Sequence, residues 1–515
     1  MTPARHGLRI ALLTALAALL LGRLAATTEV MYADGLRYVA SARAVDRGDW
    51  SASIVRGVDH PVYPVAVAAA RRAFGIADTP EGWQAAAQAV SVIAGAALVA
   101  PLYLVALELF GSAAAWLACL LTFLVPTTGH VLADALSEGL FLLAWTWGVW
   151  FALRFLRAGA SRWLAPTVAC AGLAYLARPE GLLLPVALVA TLFLIPLSAS
   201  WRLPRATWLK AAALIVLGPA LIVGPYVALK GGIGTKPAVA RLLGTAPRSA
   251  AGAVERERPL DPDRSALKTF ATSWRAMFRA VQTAVTTPLL VLAAWGALGG
   301  GRATDPGRAR GRLFVATYGT MWMLALVRLY ATGGYCTPRH ALILTLPLIA
   351  TAAHGLVLLG ERIAARASAG SAARARGLTA ACGIALVAVG WGPATLAPIN
   401  AEFVGYRRAG DWLAAHSAAD ARVLDLKGWA MYYAGRPGYS FADYTTVPAG
   451  GGPRYVVAHD AFLIGEWPYC QTIRDYVGDR APAASFPERP TKGVARVHVF
   501  DLAPGLARAE KPGTK

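Results

Sequence analysis

Tyr32-Ala33-Asp34-Gly35-Leu36-Arg37-Tyr38 comes shortly after an apolar run, Ile10 to Leu21, which is itself preceded by Arg5 and Arg9. The stretch opens a polar loop that closes with Asp59-His60-Pro61-Val62-Tyr63-Pro64. A carboxylate at the mouth of a membrane bundle is costly unless it faces water, a partner or a substrate. Asp34 is therefore a site residue if the rest of the chain is such a bundle, and a helix-cap or first-turn residue if it is not.

The composition supports the bundle. Of 515 residues, 56% are hydrophobic and 15% charged, where a soluble protein carries about a quarter charged. The apolar residues form long runs centred near Ala96, Leu120, Leu143, Leu173, Leu188, Ile215, Leu292, Leu324, Leu346 and Leu386. With the first run these predict about eleven spans; those near Leu120 and Leu173 are short enough to be tilted or half-spanning. The first run also has the form of a secretory signal peptide. Either reading leaves Asp34 on the outer side, and the function implied below needs the helix retained.

The net charge of +21, from 50 Lys and Arg against 29 Asp and Glu, would suggest nucleic acid in a soluble protein. Here the cations fall in short loops between apolar runs: Arg154, Arg157 and Arg162; Arg202, Arg205 and Lys210; Arg302, Arg308, Arg310 and Arg312; Arg362, Arg366, Arg374 and Arg376. With eleven spans these loops and the N-terminus share one face, which the positive-inside rule makes cytoplasmic. The unusual polar motifs all fall on the opposite face. They are the Asp34 loop, the Gly129–Ser137 turn, Arg178-Pro179-Glu180, a long loop over 230–280 and Thr332–His340. Within that loop, Ala266–Thr283 reads as a helix lying along the membrane.

The composition changes near Ala401. Asp411-Trp412-Leu413 predicts the start of a helix, and Arg422–Leu426, Arg454–Ala458 and Val494–Leu502 predict strands. The expected fold is a polytopic α-helical membrane domain over 1–400, with outer loops 27–85 and 230–280, followed by a small extracytoplasmic α/β domain over 401–515. The five cysteines, Cys119, Cys170, Cys336, Cys382 and Cys470, form no CxxC pair and read as small packing residues. No Walker, GxGxxG or HExxH motif is present.

Several pieces recur in a telling order: Tyr32-Ala33-Asp34-Gly35 after the first span; His60-Pro61-Val62-Tyr63-Pro64; Asp134-Ala135-Leu136-Ser137-Glu138 opening the fourth span; Ala174-Tyr175-Leu176-Ala177-Arg178-Pro179-Glu180-Gly181; and Tyr335-Cys336-Thr337-Pro338-Arg339-His340. This order, over roughly residues 1–400, resembles the GT-C membrane glycosyltransferases. The likeness is strongest to bacterial members related to protein mannosyltransferases (family 39) and lipid A aminoarabinose transferases. The resemblance implies an inverting transfer of a sugar from a polyprenyl-phosphate carrier to an acceptor (protein, lipid or glycan) at the outer face of the inner membrane. Many relatives carry Asp-Glu or Asp-x-Asp in the first outer loop. Here Asp34 is followed by Gly35, which leaves a divalent metal at the site open.

Displacement at an anomeric carbon needs a base for the acceptor proton and positive charge for the departing phosphate. Asp34 is the candidate base. Arg178 and Arg339 are candidates for the phosphate, since guanidinium offers a fork of donors and stays charged; the alternative for each is snorkelling to headgroups. Glu180 either pairs with Arg178 or contacts the sugar. Asp134 and Glu138, four apart, would share a helix face and bind sugar hydroxyls, a metal or a neighbouring arginine; alternatively Asp134 caps the fourth span. His60 and His340 complete the substrate-binding set. Trp145, Trp147 and Trp150 read as lipid-facing aromatics, and Tyr432 and Tyr433 as core or surface aromatics. Two other functions fit the same features less well: a ligase moving an oligosaccharide from a pyrophosphate-linked carrier, and a polytopic transporter or lipid flippase. Transporters show internal repeats and mid-membrane charges, whereas the charges here sit at span ends.

Overall fold

The computed structural model describes residues 3–195, 205–233, 239–240, 242, 265–299, 305–366, 371–441, 443–444 and 452–502. Most of the expected outer loop over 230–280 lies outside these residues, as do Arg202 and Arg302. The chain forms two compact units. The first comprises Met1–Ala25, Ser41–Ala70 and Gln88–Ala397; the second comprises Ala26–Ala40, Arg71–Ala87 and Pro398–Lys515.

The first unit is helical. Among the described residues seven helices are long and apolar enough to cross a membrane: Pro3–Ala26, Pro80–Phe110, Glu138–Ala158, Trp208–Lys230, Pro306–Gly333, Pro338–Ala365 and Ala372–His416. Two bent pairs raise the number to nine if each is one span: Ser112–Leu124 with Pro126–Ala133, bent by 72°, and Leu267–Val285 with Thr287–Gly299, bent by 96°. The sequence predicted about eleven. The difference lies in the runs near Leu173 and Leu188. They form helices of 14 and 12 residues, Leu164–Ala177 and Leu183–Leu194, well short of the roughly 20 residues that span a bilayer.

In chain order the helices that frame the argument are α1 (Pro3–Ala26), α2 (Ala33–Asp46), α3 (Val62–Ala73), α4 (Pro80–Ala97), α5 (Val99–Phe110), α6 (Ser112–Leu124), α7 (Pro126–Ala133), α8 (Glu138–Ala158), α9 (Leu164–Ala177), α10 (Leu183–Leu194), α11 (Arg205–Lys230), α12 (Ala266–Val285), α13 (Thr287–Gly299), α14 (Pro306–Gly333), α15 (Leu342–Ala365) and α16 (Ala372–Leu396). Helix α12 is amphipathic and keeps Leu267, Phe270 and Phe278 exposed. That is the pattern of a helix lying in an interface. Helices α13 and α15 meet backbone to backbone. A Cβ on Gly355 would lie 2.1 Å from the Leu292 carbonyl oxygen, and one on Gly296 2.3 Å from that of Thr351. Small residues at such a crossing replace the hydrophobic drive that lipid does not supply.

Trp145 is buried, edge-on to Tyr318 at 5.6 Å, so it is a core residue rather than a lipid-facing one. Trp147 and Trp150 form a partly exposed cluster with Phe151 and Trp163. All five cysteines are free thiols.

The second unit holds a five-stranded sheet in the order β2-β1-β3-β5-β4, built from β1 (Val423–Asp425), β2 (Gly438–Tyr439), β3 (Tyr455–His459), β4 (Ala484–Phe486) and β5 (Val497–Asp501). β1 is parallel to β2 and β3, and β5 is antiparallel to β3 and β4. Alternating side chains divide between two cores, as the two-residue strand repeat requires. On one face Val423, Val457, Val497 and Val499 pack on α17 (Val404–His416) and α18 (Trp429–Ala434). On the other, Leu424, Val456, Ala458 and Phe500 pack on α19 (Asp460–Ile464) and α20 (Pro468–Val477). Asp411-Trp412-Leu413 falls near the end of α17, not at a helix start. Tyr433 is buried and donates to Gln84 Oε1 at 2.6 Å, and Tyr432 donates to the Pro80 carbonyl at 2.7 Å.

Candidate active site

Four of the residues singled out by sequence come together in the first unit. Arg178 ends α9 in an extended conformation, because Pro179 disfavours helical backbone before it. Pro179 starts a short 3-10 turn, Pro179–Leu182. That turn folds tightly onto α9: a Cβ on Gly181 would lie 2.1 Å from the Tyr175 amide nitrogen, so only glycine fits. The fold-back returns Glu180 to Arg178, whose Nη2 and Nε donate to Glu180 Oε1 at 2.7 and 3.2 Å. Arg178 Nη1 lies 2.6 Å from Oε1 of Glu138, the first residue of α8. Arg339, in the 3-10 turn Pro338–Ala341, brings its Nη1 to 3.9 Å from the same Glu138 oxygen.

All four side chains are shielded: 3% exposed for Glu138, 9% for Arg178, 14% for Glu180 and 17% for Arg339. Two guanidinium groups balance two carboxylates, which is the condition under which charges survive burial. The pairing of Glu180 with Arg178 is the alternative that the sequence allowed. The tie of Glu138 to Arg178 is the neighbouring-arginine alternative, and the sequence did not say which arginine it would be.

Asp134 and Glu138 do not share a helix. Pro126 starts the short helix α7, which ends at Asp134 in extended backbone, and α8 begins only at Glu138. Asp134 is buried, and its Oδ1 accepts from the Ala135 amide at 2.7 Å. The linker between them is held by Ser91, whose Oγ donates to the Leu136 carbonyl at 3.0 Å and lies 3.0 Å from the Tyr63 hydroxyl. Tyr63 thus ties the His60-to-Pro64 motif to the entry of α8, a role that its position in the motif did not reveal.

His60 is buried, edge-on to Tyr175 at 5.0 Å and tilted over Tyr226 at 5.4 Å. Tyr175 lies one helical turn before Arg178, so His60 packs beside the element that carries the cluster. Tyr226, on α11, had no sequence signal. His340 accepts from the Thr337 amide at 3.2 Å through Nδ1, within a capping box on its own turn. That leaves Nε2 as the protonated ring nitrogen of the neutral form.

Asp34 belongs to the second unit. It sits in the first turn of α2, where the helix dipole favours a carboxylate, and its Oδ1 is 3.1 Å from Arg37 Nη1. Its side chain is 18% exposed. Among the described residues no three His, Cys, Asp or Glu side chains are grouped to hold a metal ion.

Comparison with known proteins gives these features a setting. Residues 59–223 match the family model described as dolichyl-phosphate-mannose-protein mannosyltransferase. The segment includes His60, Asp134, Glu138, Arg178 and Glu180. The fold is similar to the apo crystal structure of the oligosaccharyltransferase of Archaeoglobus fulgidus, with a TM-score of 0.59, 13% identity, and 91% of this chain and 72% of that one covered. The archaeal oligosaccharyltransferase AglB from the same organism, in complex with an inhibitory peptide and a dolichol-phosphate, gives a TM-score of 0.60 at 12% identity over 91% and 72%. The Archaeoglobus fulgidus oligosaccharyltransferase complex with Zn and sulfate gives 0.59 at 14% identity over 90% and 71%. No curated protein matches the chain by sequence. The resemblance to GT-C glycosyltransferases is borne out by the family match, which agrees with the enzyme class that the sequence implied, and the similar structures share the fold.

Proposed function

We propose that the chain is an inverting membrane glycosyltransferase that moves a sugar from a polyprenyl-phosphate carrier to an acceptor hydroxyl at the periplasmic face of the inner membrane. The observation that carries this reading is the shielded meeting of Glu138, Arg178, Glu180 and Arg339 at the ends of apolar helices. A carrier phosphate at a bilayer boundary needs cations held in place in a poorly solvated setting, where they act most strongly.

The acceptor oxygen attacks the anomeric carbon and its proton passes to Asp34. The bond from that carbon to the phosphate oxygen breaks, and polyprenyl phosphate departs with the electron pair. Arg339 meets the charge that develops on it. Arg178 is gripped by two carboxylates and acts as a positioning residue. Arg339 Nη1 stands 3.9 Å from the Glu138 carboxylate, farther than Arg178 does. Asp134, His60 and His340 form the proposed sugar-binding set. No step is routed through a metal, since the described residues group no donor set for one. The N-terminus is assigned to the cytoplasm, and residues 401–515 to a soluble extracytoplasmic part.

A second reading has its own support. The solved structures of similar fold are oligosaccharyltransferases, one of them in complex with a dolichol-phosphate. That favours transfer of a whole oligosaccharide from a pyrophosphate-linked carrier. The experiment is carrier release by the purified protein, given polyprenyl-phosphate and polyprenyl-pyrophosphate donors with a membrane extract as acceptor, beside the Asp34→Asn variant. Release from monophosphate donors alone, lost in the variant, supports the first reading. Release from pyrophosphate donors alone moves the assignment to the ligase. No release from either supports a transporter.

A further inference from the structure

A second charged cluster lies in the first unit, at the far end of α8 from Glu138. Helix α8 begins at Glu138 and carries Arg154 and Arg157 near its end, about 30 Å away at the α-helical rise. There Glu108 pairs with Arg154 at 2.7 Å and with Arg157 at 2.6 Å. Arg157 also reaches Asp305 at 3.2 Å, and Asp305 caps α14 by accepting from the Gly307 amide at 2.8 Å. Both carboxylates are thereby engaged by Arg154, Arg157 and the helix cap.

Arg308 and Arg312 project from the first turns of α14. The Gly307 amide, helped by the Arg308 charge, holds the Asp305 carboxyl below its usual range, but neither guanidinium comes within ion-pair distance of a carboxylate among the described residues. The Arg312 guanidinium lies 5.3 Å over the Phe110 ring, and Phe110 stacks on His354 at 4.9 Å. The Nε atoms of Arg308 and Arg312 and both ring nitrogens of His354 are shielded and lack a hydrogen-bond partner among the described residues. Ordinary inward-facing arginines explain the charge of this end but not the shielded donors, since a solvated guanidinium would keep its N–H groups in water. Leaving such groups unmatched is costly. A phosphate group supplies several acceptor oxygens and up to two negative charges, and guanidinium is the side chain that suits it geometrically.

We propose that Arg308, Arg312 and His354 form a binding site for a phosphate-bearing anion, separate from the proposed transfer site and independent of it. Two sources share that chemistry: the phosphodiester headgroup of an anionic lipid in the leaflet at this end, and a soluble phosphate or pyrophosphate.

The test uses the full chain in detergent micelles. Retention of phosphatidylglycerol is compared with that of phosphatidylcholine by native mass spectrometry, with and without millimolar inorganic pyrophosphate. The proteins are wild type, the double variant Arg308→Gln with Arg312→Gln, and His354→Phe, which keeps a ring against Phe110 but has no ring nitrogen. Tenfold or greater preference for phosphatidylglycerol in the wild type, lost in the double variant and reduced at least threefold in His354→Phe, supports a lipid headgroup. Stabilisation of the wild type by pyrophosphate, lost in the same variants and with no lipid preference, supports a soluble anion. Neither lipid preference nor pyrophosphate stabilisation in the wild type overturns the site. Equal effects in wild type and variants overturn it as well. If the double variant does not fold, His354→Phe alone decides by the same criterion.

Discussion

Arg178 Nη1 and Glu138 Oε1 lie 2.6 Å apart although the two residues open different turns of the chain, one after α9 and one at the start of α8. The contact makes Arg178 serve two carboxylates at once, with Glu180 on its other side. Arg339 Nη1 lies farther from the same Glu138 oxygen, at 3.9 Å. The two arginines should therefore respond differently to the same substitution. Removing Arg178 takes the cation from shielded Glu180 and leaves Glu138 the longer contact to Arg339, and breaking such a pair costs about 3–5 kcal/mol. Arg178→Gln should unfold at markedly lower temperature, and adding Glu138→Gln should restore part of that stability. Arg339→Gln should keep its melting temperature close to wild type yet lose about 10²–10³ in carrier release, the range for removing one donor from a developing oxyanion. Equal loss of stability in both single variants would assign both arginines to scaffolding.

Asp34 lends itself to a cleaner separation of chemistry from structure. Its pairing with Arg37 is partly exposed, and such pairs contribute about 0–1 kcal/mol. Asp34→Asn should fold like wild type and lose about 10²–10⁴ in turnover, the usual worth of a positioned base. Arg37→Gln should leave turnover within a few-fold of wild type. A measured loss in Arg37→Gln matching that of Asp34→Asn would show that the pair acts as a unit and that Asp34 is not the base by itself.

The crossing of α13 and α15 depends on two glycines. Gly355→Ala would place a methyl carbon 2.1 Å from a backbone oxygen, and Gly296→Ala one at 2.3 Å. Neither obstacle is a flexible side-chain tip, so the helices must separate. Each variant should lower the detergent-solubilised melting temperature and broaden the transition. Gly390→Ala, on α16 where nothing lies within 4 Å, is the matched control and should leave the temperature unchanged.

What the sequence revealed depended on the range of the interaction. The Arg178-Pro179-Glu180 pairing was legible because proline breaks the helix and the two charges sit two residues apart. The Glu138 contact to Arg178 was not, because nothing local marks a partner one helix away. Asp134 and Glu138 were misread for a related reason. Four-residue spacing implies one helix face only if the helix is continuous, and the break between α7 and α8, Asp134 to Ser137, has no glycine or proline to mark it. In the second unit, β1 and β5 fell within the predicted segments and β3 overran its own by one residue, His459, because all three are runs of buried β-branched and apolar residues. Strands β2 and β4, two and three residues long at the sheet edges, carry no such run and were missed. Gly296 and Gly355 were present in the sequence, but nothing local assigns either to a partner helix.

The second unit also contains two buried titratable groups whose effects on stability oppose each other. Burial raises the Asp425 carboxyl from 3.8 to about 6, against the pull of amide hydrogen bonds from Lys427, Ala430 and Met431. Burial lowers the His459 imidazole from 6.5 to about 4, with the Lys427 charge adding to the shift. For Asp425 the folded state holds its proton longer, so its contribution is full below pH 3.8 and is lost as pH rises to 6. For His459 the folded state resists protonation, so its contribution is full above pH 6.5 and is lost as pH falls to 4. Each shift of about two units corresponds to about 3 kcal/mol. Between pH 4 and 6 the two slopes run in opposite directions, and the stability of this unit should be nearly flat. Replacing His459 with Gln, which can still pair with the Tyr406 hydroxyl now 2.7 Å from His459 Nδ1, removes one slope and exposes the other. Urea unfolding of the full chain, followed by near-ultraviolet circular dichroism at pH 4, 5 and 6, should then show the variant gaining stability on acidification where the wild type does not. A variant as flat as the wild type would mean that Asp425 stays ionised throughout this range, its burial outweighed by the three amides that it accepts from.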